Sequence, residues 1–77
     1  MKPRHTIQAV IRSGDESGYV AECVDFPVVT QGATVEESLS NLREAVGLML
    51  DGEDLAAWNL APNPSIVVMI ELEPDYA

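Results

Sequence analysis

The sequence predicts a small α+β domain ordered β-β-β-α-β, with a mixed sheet and one main helix on one face. Three observations carry this. Short strand-like runs recur four times, the first rich in Thr, Ile and Val, each bounded by Gly, Ser, Asp or Pro. Between the third and fourth lies a longer segment with a capped start and one apolar stripe at helical spacing. Finally, 47% of the 77 residues are apolar, which suits a packed core, though a chain this short holds only one.

The first strand is expected over 5–13, ended by the cluster Ser13-Gly14-Asp15-Glu16-Ser17-Gly18. A second follows over 19–24, so the two form an antiparallel hairpin. Pro27 interrupts the chain there, because its ring fixes φ and removes a ladder donor. A short third strand over 28–31 leads to Gly32, expected to take a turn conformation barred to other residues.

Thr34 followed by Glu37 is a capping box, the hydroxyl accepting from the N3 amide while the carboxylate reaches back. Glu36 and Glu37 also suit the positive end of the helix dipole. Val35, Leu39, Leu42, Val46, Met49 and Leu50 then form one stripe, Leu48 projects elsewhere, and Gly52 suits the stop. An irregular connection is expected over 53–64, with a short second helix at 55–60, before a last strand over 65–72. A helix between strands three and four is a crossover, so strand four should return parallel within the sheet.

Charge is lopsided. Thirteen acids against four bases give a net charge of −9, and after Arg43 there are seven acids and no base. Such a surface repels phosphate backbones and attracts a basic protein. The sequence has no signal-peptide pattern near its start and no apolar run near the ~20 residues that span a bilayer. The expectation is a cytoplasmic protein that contacts neither nucleic acid nor membrane. The lone Cys23 rules out an internal disulfide and a Cys-based zinc site.

Tyr19-Val20-Ala21-Glu22-Cys23, Asp25-Phe26-Pro27, Thr30-Gln31-Gly32 and Thr34-Val35-Glu36-Glu37-Ser38-Leu39 follow one another in a set order. Asn41-Leu42 and Glu44-Ala45 continue it. In this the chain resembles the HicB-like antitoxins. The resemblance implies an incomplete ribonuclease H-like fold and a role in neutralising a small basic HicA-like toxin that cleaves RNA. It marks Tyr19, Asp25, Phe26, Pro27, Thr34 and Glu37 as motif residues that could face the toxin. Two departures stand out: Pro27 runs directly into Val28 without the usual intervening residue, and no DNA-binding domain follows the last strand. The expectation is a short stand-alone member without direct operator contact.

The residues that could carry catalysis are few. Glu22 and Asp25, or Glu71 and Glu73, are the carboxylate pairs available to hold metal ions, but thirteen acids produce such pairs by chance. His5 is the only histidine. Cys23 has no histidine near it in sequence and reads as a small buried hydrophobe. Gly14 and Gly18 flank an acidic turn that would repel phosphate. No enzyme activity, cofactor or metal is therefore expected.

Apolar residues are in surplus on both faces of the last strand: Ile66, Val68, Ile70 and Leu72 on one, Val67 and Met69 on the other. One helix covers one face, so the other predicts self-association as a dimer or tetramer. Val67 and Met69 would form that interface beside Val10 or Val20, with Trp58 and Leu60 contributing from the preceding connection. The functional expectation is a non-enzymatic, homo-oligomeric antitoxin-like domain. Its rivals are a stand-alone regulatory or ligand-sensing domain and a weak metal-dependent nuclease.

Overall fold

The structure, a computed structural model, describes residues 2–75 of the single domain expected over 1–77. The expected element order is present: β1 (Arg4–Ser13), β2 (Tyr19–Cys23), β3 (Val29–Gly32), α1 (Val35–Leu50), a 3-10 turn (Leu55–Trp58) and β4 (Leu60–Ile70). One four-stranded sheet has the order β3-β2-β1-β4. β1 pairs antiparallel with β2, β2 antiparallel with β3, and β4 returns parallel to β1. The fold is thus α+β with a mixed sheet, as the crossover argument required.

Alternation along the strands separates two faces. Ile7, Ala9 and Ile11 of β1 with Ala21 and Cys23 of β2 point towards α1 and are all buried. Leu42 and Val46 of α1 meet them, and Phe26, Val28 and Leu60 close the cluster. The start of α1 follows the capping-box expectation. Thr34 Oγ1 accepts from the Glu37 amide at 3.0 Å, and a Glu37 carboxylate oxygen accepts from the Ala33 amide at 3.3 Å. At the other end Gly52 takes a φ of +74°, the left-handed stop.

Two local expectations need correction. Gly32 does not take a positive φ. Its importance is closeness: a Cβ there would stand 2.6 Å from the Ser38 amide nitrogen. That contact seats the first turn of α1 on β3, with Ser38 fully buried and its hydroxyl donating to Thr34 O at 3.0 Å. The last strand begins at Leu60, not at 65, and runs through Pro62 and Pro64. Both prolines are admissible because β4 is an edge strand, where a missing donor breaks no inner ladder.

The placement of α1 differs too. The helix packs mainly on β3 and β2, so it covers the helix-side residues of β4 only in part. Ile66 and Val68 are half-buried, and Ile70 is 43% exposed. The expected full cover of Ile66, Val68 and Ile70 by the helix is therefore not found.

Candidate functional site

The motif residues divide between the two ends of the sheet, Tyr19, Thr34 and Glu37 where β1 finishes and Asp25, Phe26 and Pro27 beside Arg4 where it starts, and most of them build the fold. Tyr19 opens β2 and packs, half-buried, against the core cluster. In the loop after β2, Phe26 is 6% exposed and its ring meets that of Trp58, centroids 5.3 Å apart and planes tilted by 54°. The Arg4 guanidinium lies 5.6 Å from the Phe26 ring centre and donates to an Asp25 carboxylate oxygen at 2.6 Å. Thr34 and Glu37 satisfy the helix start. Asp25 and Pro27 are the two motif residues with exposed side chains in this loop.

The residues expected at an oligomer interface separate into two groups. Val67 and Met69 are 47% and 54% exposed, on the sheet face opposite α1. Met69 pairs with Val10 and Val67 with Gln8. Leu60 is corrected: at 2% exposure it belongs to the core and offers no surface. Trp58 is half-buried against Phe26 on the helix side of the sheet, so it does not extend the Val67–Met69 surface. The burial of Leu60 follows from β4 starting at that residue beside Arg4.

Among the described residues the face opposite α1 carries no second layer, and it is the most distinctive surface of the molecule. Reading across the strands, one row runs Val29, Glu22, Val10, Met69 and the next Gln31, Val20, Arg12. Val24, beyond Glu22 on the same alternation, is 54% exposed, and Val29 is 64% exposed. At its centre Arg12 donates to Glu22 at 2.9 Å, a pair with both side chains near half exposure. The result is an apolar field of valines and Met69 around one neutralised charge pair. Val24 and Val29 were not singled out as site residues from the sequence. Their alternation with Val20 and Gln31 was the available signal.

Two of the concavities border α1. A cleft of about 820 Å³ sits between the 14–18 turn and the start of α1, with Asp15, Glu16 and Glu37 on its walls. A groove of about 400 Å³ separates α1 from β4, floored by Leu39, Leu42, Ile66 and Val68 and edged by Glu36 and Arg43.

The carboxylates do not converge. Glu22 is paired with Arg12 on the open face, Asp25 is paired with Arg4 in the loop, and Glu71 and Glu73 follow the end of β4. Among the described residues no group of three or more His, Cys, Asp or Glu could hold a metal ion. His5 is exposed on β1. Cys23 is 5% exposed, and burial pushes its thiol above the ordinary range because the thiolate would lose hydration. Among the same residues no helix is long and apolar enough to cross a membrane.

No protein-family description, curated protein or solved structure matches the chain.

Proposed function

We propose that this chain is a non-enzymatic binding domain of the HicB-like antitoxin type, acting in the cytoplasm on a small basic HicA-like toxin that cuts RNA. The observation that carries this reading is the uncovered sheet face, with Val24, Val29, Val67 and Met69 all about half exposed or more. An exposed apolar field of this kind, rimmed by polar groups, is characteristic of protein-binding surfaces. A net charge of −9 selects a basic partner and disfavours nucleic acid.

The ordered motif and the sheet order support the same reading. A β-β-β meander, a helix and a parallel fourth strand are compatible with an incomplete ribonuclease H-like fold. The mechanism is occlusion. Apolar side chains seat the toxin while the acidic surroundings neutralise the basic surface with which it grips RNA.

The test is a search for a short basic protein encoded beside this chain, followed by co-expression of the two. Restored growth and intact RNA are expected. Undiminished RNA cleavage, or the absence of any short basic neighbour, contradicts the proposal.

A further inference from the structure

We propose that two copies of this chain join β4 to β4, antiparallel, about a two-fold axis at Val68, into one continuous eight-stranded sheet. The proposal rests on the edge of the sheet rather than on its open face, and it does not depend on the toxin reading.

The sheet has two edges, and they are treated differently. β3 is four residues long, and α1 lies against it, with Asn41 Nδ2 donating to Gln31 O at 2.7 Å. β4 has no such cover. From Ser65 to Ile70 it carries no charge and no proline, the devices that normally blunt an edge. The Glu71 amide donates to Ile11 O at 2.9 Å. Strand alternation then turns the backbone N–H and C=O groups of Val67 and Met69 towards β1, and those of Ile66, Val68 and Ile70 to the free side.

Those six groups select the partner. With the axis at Val68, Val68 pairs with its own copy and Ile66 with the copy's Ile70, so every outward donor and acceptor in the segment is matched. An axis at Val67 or Ile66 sets Pro64 opposite Ile70 or Val68, where a donor is missing. The same register aligns Val67 with Met69 of the copy, an apolar cross-strand pair.

Charge supports this arrangement. Acidic Glu71, Glu73 and Asp75 follow β4 at the end of the sheet where β1 finishes. Lys2 and Arg4 lie at the opposite end, because Arg4 pairs with Leu60. α1 starts near the end of β4 and runs back along it, which carries Arg43 about 10 Å from Glu36 towards that basic end. Antiparallel pairing therefore sends each copy's Glu71, Glu73 and Asp75 towards the other's Lys2, Arg4 and Arg43. These are three of the chain's four basic residues. Glu71 falls opposite Ser65 and not opposite its own copy.

Sedimentation over a concentration series, with amide hydrogen exchange read residue by residue, tests the proposal. The expected mass is twice the 8.3 kDa of one chain. The amides of Ile66, Val68 and Ile70, which the chain's own sheet does not use, should become protected as the concentration rises. Val68→Pro removes one outward donor while sparing the bonds to β1, so it should sediment as a single folded chain. Val29→Lys, on the far strand, should remain a dimer. A wild-type mass of one chain at all concentrations overturns the proposal, as does free exchange at those three amides in the dimer. Loss of the dimer in Val29→Lys would point to face-to-face packing and also overturn it.

Discussion

At Phe26 three parts of the chain meet: the loop after β2, the start of β1 through Arg4, and the 3-10 turn through Trp58. Its ring is almost fully buried, so Phe26→Ala should cost about 3–5 kcal/mol. That is a large share of the ~5–15 kcal/mol holding a typical domain. Urea denaturation would show it as a lowered midpoint. The neighbouring Arg4–Asp25 bridge is more than two-fifths exposed on both sides, so Asp25→Asn should change stability by no more than about 1 kcal/mol. Cys23 permits a pH prediction. Burial raises its pKa in the folded state, so folding favours the protonated thiol. The corresponding stability is complete below the ordinary thiol pKa and is lost as pH rises through the folded value. A thiol reagent should accordingly label Cys23 at the rate of global opening. Labelling as fast as a free thiol at neutral pH would contradict its burial.

Among the elements, α1 was the most legible from sequence. Its cap, its stripe and its stop are local, and Thr34, Glu37 and Gly52 each act within a few residues of their own position. Thr34→Ala should cost about 1 kcal/mol, measurable by thermal unfolding. The parts that were not legible depend on contacts distant in sequence. Ser38 is polar and lies outside the apolar stripe of α1, yet it is buried because Gly32 lets β3 approach the helix backbone. Gly32→Ala should therefore destabilise by about 1–3 kcal/mol through backbone overlap, with no change of turn. The start of β4 was misplaced because two prolines argue against an inner strand, and its edge position follows only from the sheet order. The assignment of Leu60 to the surface failed for that same reason. The open face was legible at Val67 and Met69, where alternation is strong. It was missed at Val29, whose strand partner Glu22 comes from the β2–β3 pairing, and at Val24, which lies just past β2 with its amide donating to Gln8 O.

The molecule as a whole is thin. Its radius of gyration is 13.9 Å, against about 11 Å for a compact chain of this length. Its long axis, 49 Å against 22 and 16 Å, accounts for the difference, while the helix on one side of the sheet leaves both the valine-rich face and the β4 edge available to partners. The charge of −9 on this thin body should accelerate encounter with a basic protein. Raising salt from 0.1 to 1 M shrinks the Debye length from about 10 to about 3 Å, so the association rate should fall steeply, and a flat rate would remove electrostatic steering. The most direct test of the central claim is an RNA-cleavage assay in which a purified short basic protein encoded beside this chain is titrated with it. Cleavage should cease near one chain per toxin, with Val29→Lys requiring a clear excess to reach the same end point. Cleavage that continues unchanged with the wild-type chain in excess would contradict the account.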